Sequence, residues 1–197
     1  MTLRQRHAEQ TRQALLHAAA RVFARRGYSN ATIDDVAAEA GASKGAVYHH
    51  FASKQDLFQV MLAQRAAELG PLRQLPARAS SMPELISELV RMWFGRMRDD
   101  PSALPLALES RLQALRDPAA AELLASYYRE LRSALADLLS QAAQRFGYPR
   151  PQPHAAFIVF SLLDGAGQQW AVDPGALRLD QVLDHISQAV TGVFTLE

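Results

Sequence analysis

The chain has 197 residues, 49% of them hydrophobic and 21% charged, no cysteine and a net charge of +1. That composition supports a sizeable core and excludes a disordered chain, and the missing cysteines exclude disulfides and thiolate metal sites. The start, Met1 to His7, is polar, and the longest apolar run, Ala155 to Phe160, is too short to span a bilayer, so a cytoplasmic protein without membrane contact is expected.

The charge is unevenly placed. Residues 1–30 hold six arginines (Arg4, Arg6, Arg12, Arg21, Arg25, Arg26) against Glu9, a net of +5. Residues 1–60 hold eight basic and five acidic residues, a net of +3, and the remainder holds thirteen against fifteen, a net of −2. A basic front on a mildly acidic body suits a polyanion at one end.

Helix signals dominate from the first segment on. Leu15, Ala18, Ala19, Val22 and Phe23 form one apolar stripe at helical spacing, and Gly27 stops that helix. Thr32 with Asp35, Ser53 with Asp56 and Ser81 with Glu84 read as capping boxes; Asp100-Pro101 and Asp117-Pro118 place a cap before a first-turn proline. No stretch sustains strand alternation. Residues 71–83, with three prolines, read as a linker. The resulting expectation is an all-α chain of about nine helices: 8–26, 33–39, 44–50, 54–69, 83–98, 102–116, 118–146, 152–172 and 178–195.

The segment from Thr32 to Lys54 is the most informative. A short helix, a turn at Ala40-Gly41-Ala42 and a second short helix capped by Ser43 make a helix-turn-helix, with Val36, Ala40, Ala42, Val47 and Phe51 spaced as its inner face. The second helix is about 12 Å long and fits the major groove. On its outer face Lys44 can donate to guanine O6 and N7, Tyr48 can pack on a thymine methyl, and Gly45 beside His49 lets the backbone approach. Lys54 and the amides at the next helix start can hold phosphates.

These features carry a family resemblance. Residues from about Thr11 to Gln64 resemble the DNA-binding region of TetR/AcrR repressors. The matching segments are Phe23 to Tyr28, Thr32 to Ala37, Gly41 to Phe51 and Lys54 to Phe58, with a fainter echo at Leu163 to Trp170. The resemblance implies phosphate or sugar contacts from Thr32, Tyr48, His50 and Lys54, and base contacts from Ser43, Lys44, Gly45 and His49. It also implies a three-helix helix-turn-helix domain at 1–54 and a helical effector-binding and dimerisation domain at 70–197; the linking helix at 54–69 joins the two and is the candidate lever.

In the second half, Leu179, Val182, Leu183, Ile186, Val190 and Val193 form a stripe on the last helix, and Phe157 lies on the nearly all-apolar helix before it. They are the expected homodimer interface. Trp93, Phe94, Met97, Tyr127, Tyr128, Phe157 and Phe160, with Glu109, Asp164 and Gln168 as polar anchors, are the expected pocket for a small, largely apolar effector, a reading that leans on the resemblance. The expected function is a palindrome-binding dimeric repressor that its effector releases, with no cofactor, metal or enzymatic activity.

Two alternatives weigh less. A non-specific architectural DNA-binding protein would carry more positive charge. Gly41-Ala42-Ser43-Lys44-Gly45 matches the G-x-S-x-G of hydrolases, but that motif works only on a strand-to-helix turn. His49 and His50 diverge by about 100° on a helix, a poor metal pair.

Overall fold

The computed structural model describes residues 2–67, 70–173, 175, 179–192 and 194, with the backbone alone for 3, 4, 65–67, 70, 71, 179, 180, 182 and 183. Ten helices span them: α1 (Leu3–Asn30), α2 (Ile33–Ala40), α3 (Lys44–His50), α4 (Lys54–Ala67), α5 (Gly70–Arg78), α6 (Met82–Asp99), α7 (Ala103–Ala114), α8 (Pro118–Phe146), α9 (Ala155–Val172) and α10 (Leu179–Gly192). Among the described residues there is no strand, and no helix is long and apolar enough to cross a membrane.

The local signals explain most boundaries. The Thr32 hydroxyl accepts from the Asp35 amide while the Asp35 carboxylate accepts from the Thr32 amide. Ser81 caps the Glu84 amide, and Glu84 reaches back to the Ser80 amide. Three expectations change. α1 starts five residues earlier than expected, because Thr2 and Gln5 form a capping box. The span read as a linker contains α5, where Leu72 and Leu75 are buried and Pro76 lies inside the helix. Asp100 closes α6 instead of opening α7, whose N-cap is Ser102.

The chain divides into two compact units, Met1–Ala66 with Pro101–Tyr127, and Ala67–Asp100 with Tyr128–Glu197. In the first, α1 packs on α2 and α7, and α2 packs on α3. Its core joins Leu15, Val22, Phe23, Val36, Val47, Phe51, Leu57 and Phe58 to Leu106 of α7. Residues 101–127, assigned from sequence to the second half, therefore pack with the helix-turn-helix. In the second unit α6 packs on α5, α9 and α10. Leu85, Ile86, Leu89, Val90, Phe94, Val159, Leu163 and Val190 are buried there.

α1 is broken near its end. Gly27 takes φ 73° and ψ 158°, a conformation open to glycine, so Tyr28–Asn30 form a separate last turn. Glu109 of α7 approaches that break and accepts the Tyr28 amide hydrogen at 2.5 Å. A Cβ at position 27 would lie 3.3 Å from the same carboxylate.

Candidate DNA interface and effector site

The turn before α3 sets its exposed face. Gly41 sits at φ 64° as the left-handed cap of α2, and the Ala42 amide donates to the Ala37 carbonyl at 2.9 Å. Ser43 then caps α3, its Oγ accepting from the Ala46 amide at 3.1 Å. Val47 is fully buried against the core while Ser43, Lys44, Gly45, Tyr48 and His49 are exposed. Tyr48 is 49% exposed, a high value for an aromatic ring. Five of the six residues expected to meet DNA from α3 and its cap are thus exposed; the sixth, His50, is half-buried.

The charges around α3 are engaged in specific pairs. Arg21 and Arg25 of α1 both hold Glu39 of α2 at 2.7 Å, and Arg26 holds Asp35 at 2.8 Å. Hydrogen bonds from Arg25 and Arg21 lower the Glu39 carboxyl to about 2. Hydrogen bonds from Thr32, then the nearby arginines, lower Asp35 as well. Three of the six arginines that make the N-terminal segment basic therefore fasten α1 to α2. Lys44 Nζ donates to Asp34 Oδ2 at 2.8 Å, and that bond raises the lysine above its ordinary value. His50 is half-buried, its imidazole lowered by burial and then by the charges of His49 and Arg12. The His49 and His50 rings meet edge to face, with centroids 5.1 Å apart and planes at 80°.

Two residues expected to contact the DNA backbone, Lys54 and Thr32, have partners within the chain. Lys54 does not face outward. Its Nζ donates to the carbonyls of Tyr28 at 2.8 Å, Ala31 at 2.9 Å and Ser29 at 3.4 Å, and it lies 4.5 Å from the Tyr28 ring centroid. An ammonium has three donors, so the break in α1 occupies all of them. Thr32 is exposed, but its hydroxyl hydrogen goes to Asp35 Oδ2 at 2.8 Å. A phosphate contact would have to replace that bond.

In the second unit an aromatic cluster spans α6, α8 and α9. Trp93 meets Phe160 edge-on at 5.7 Å, Tyr128 meets Phe160 at 5.4 Å, and Phe94 meets Trp170 at 5.9 Å. Met97 and the Trp93 indole crowd buried Gly167, where a Cβ would come within 2.6 Å of Met97 Sδ. Next to Gly167 on α9, Gln168 donates to Asp164, one turn earlier, at 2.6 Å. The Trp93 Nε1–H is buried and meets no acceptor among the described residues. Seven of the expected pocket residues are gathered here: Trp93, Phe94, Met97, Tyr128, Phe160, Asp164 and Gln168. Three are not: Glu109 binds the Tyr28 amide in the first unit, Tyr127 falls in that unit too, and Phe157 points to solvent at 58% exposure. A groove of about 560 Å³ at the α8–α9 corner, lined by Leu139, Ser140, Arg150 and Gln152 among others, contains none of the expected residues.

Residues 15–61 match the family described as bacterial regulatory proteins, tetR family, and residues 83–195 match the BetI-type transcriptional repressor C-terminal family. The chain belongs to the TetR family. The transcriptional regulator SrpR of Pseudomonas putida is 48% identical over 58 residues, which are 29% of this chain and 27% of that protein. The nicotine-responsive repressor HdnoR of Paenarthrobacter nicotinovorans is 26% identical over 181 residues, 90% of this chain and 92% of that one. A putative TetR-family regulator from Mesorhizobium loti superposes with a TM-score of 0.80 at 20% identity, covering 99% and 98% of the two chains.

As a TetR-family member the protein is a ligand-responsive, DNA-binding transcription regulator and not an enzyme. The G-x-S-x-G match falls on a helix-turn-helix, with Ser43 serving as a helix cap. The expected TetR-type dimer face needs one revision. Ile186 and Val190 are buried inside the single chain, where α10 packs on α6, so they belong to its own core. The side chains of Leu179, Val182, Leu183 and Val193 lie outside the described residues. Among the described residues of the second unit, α9 leaves Phe157 at 58%, Ile158 at 39% and Leu162 at 36% open; in the first unit Leu108, Leu112 and Leu115 are exposed as well. Sequence reasoning named Phe157 but missed Ile158 and Leu162, because an all-apolar helix has no periodicity to mark which side stays outside.

Proposed function

We propose that two copies of this chain pair through α9 and present two α3 helices to successive major grooves of a palindromic operator, repressing transcription until a small, largely apolar molecule binds the second unit. The observation that carries this reading is the solvent face of α3, where Ser43, Lys44, Gly45, Tyr48 and His49 stand together above a buried Val47. In this reading Lys44, Gly45, Ser43 and His49 face bases, and Tyr48 and His50 hold the backbone. Phe157, Ile158 and Leu162 supply the apolar centre of the dimer contact.

The effector lies among Trp93, Met97, Tyr128 and Phe160 and offers an acceptor to the unpaired Trp93 N–H. An unpaired buried donor is costly, so a ligand that satisfies it gains selectively in the bound state. The similarity to HdnoR, a nicotine-responsive repressor, supports a small organic effector. Release follows by linkage: the effector lowers operator affinity by at most the ratio of its own affinities for the two protein states. The protein acts in the cytoplasm, where its operator lies.

The test is selection of bound duplexes from a random pool by the full-length protein. One motif with two-fold symmetry and half-sites about one helical turn apart is the expected result. Recovery of unrelated sequences without enrichment would refute the operator reading.

A further inference from the structure

We propose that Asp34 sets the DNA selectivity of the recognition helix by holding Lys44 back from use as a general phosphate anchor. The inference rests on the proposed base contact of Lys44 and adds to it a residue on the neighbouring helix.

α2 carries three carboxylates, and they face two ways. Asp35 and Glu39 turn to α1, where they meet Arg26, Arg21 and Arg25. Asp34 turns to α3 and meets Lys44 at 2.8 Å, with both side chains more than half exposed. This pair is not needed to dock α3. Buried Val36, Ala37 and Val47 and the Gly41 turn already do that, and an exposed ion pair adds little to folding. A negative charge beside the lysine of a DNA-reading helix is, moreover, the wrong sign for simple attraction to DNA.

Its sign makes sense for discrimination. Asp34 takes one of the three ammonium hydrogens and leaves two, enough for O6 and N7 of one guanine. Base reading is therefore compatible with the pair. A phosphate is a different case: sharing the ammonium brings the Asp34 carboxylate up against a second anion, and leaving the pair strands that carboxylate before the polyanion, whereas a base edge carries no net charge. Asp34 thus penalises the phosphate mode, which random DNA offers, more than the base mode, which the operator offers.

The experiment uses the full-length protein and its Asp34→Asn, Lys44→Ala and double variants. Each is titrated with the selected operator and with a random duplex of equal length at two salt concentrations. Asp34→Asn should tighten binding to the random duplex on the order of two- to fivefold per half-site. It should tighten operator binding less, so that the operator-to-random ratio falls. Its salt slope on random DNA should steepen by about 0.9 per half-site as Lys44 becomes a phosphate contact. Both effects should vanish on the Lys44→Ala background. If Lys44→Ala lowers the ratio but Asp34→Asn leaves it unchanged, or weakens both duplexes equally, Asp34 is only a tie between helices and the proposal is overturned. If Lys44→Ala itself leaves the ratio unchanged, the base contact has failed and takes this inference with it. Asp34→Ser repeats the measurements should Asp34→Asn lower the melting temperature.

Discussion

Replacing Lys54 with Met tests the break in α1 most directly. Methionine keeps an unbranched stem of similar length, so the change removes the ammonium and little packing. Two strong bonds to the Tyr28 and Ala31 carbonyls are lost, at 2.8 and 2.9 Å, with a weaker one to Ser29 at 3.4 Å. Each charge-assisted bond is worth roughly 1.5–3 kcal/mol, and the half-buried carbonyls recover part of that from water. The contact with the Tyr28 ring adds about 0.5–1 kcal/mol. The net loss should be about 2–4 kcal/mol, a fall in melting temperature of roughly 5–12 °C for a chain of this size. Thermal melting followed by circular dichroism measures it. Operator binding should weaken evenly on all sequences as the α1–α2 junction loosens, with no change in salt slope. A variant that melts like the parent and loses about 0.9 of slope per half-site would mean that Lys54 anchors a phosphate after all, and that the bonds to α1 are incidental.

Two further outcomes follow from the charge pairs and the apolar surface. The Glu39 carboxyl is lowered to about 2 in the folded chain by Arg25 and Arg21. Its stabilising effect is therefore complete above the unfolded value near 4.5 and is lost as pH falls toward 2. Glu39→Gln should melt lower than the parent at pH 7 and converge with it near pH 2; a constant gap would show that the ion pair is not the cause. Phe157→Glu should give a folded monomer by sedimentation because residue 157 is exposed, whereas Ile186→Glu should be insoluble or unfolded because residue 186 is buried in its own chain. A folded, dimeric Phe157→Glu would remove α9 from the interface.

The sequence by itself determined those features that depend on neighbours a few residues away. The solvent face of α3 was legible because Val47 alone in that helix is large and aliphatic, and because Gly41 and Ser43 mark the turn and the cap. The Thr32–Asp35 box was legible for the same reason. Where two expectations competed for one residue, only the tertiary structure decided. A lysine next to a helix start reads as a phosphate ligand until the chain folds and three carbonyls from the broken end of α1, 23 to 26 residues earlier, converge on it. Glu109 reads as a pocket anchor until α7 brings it to an amide 81 positions away. The stripe of α10 and the apolar surface of α9 look equally fit for a dimer. Burial free energy does not depend on which surface does the covering, so which stripe faces α6 and which stays open is settled by how the helices pack.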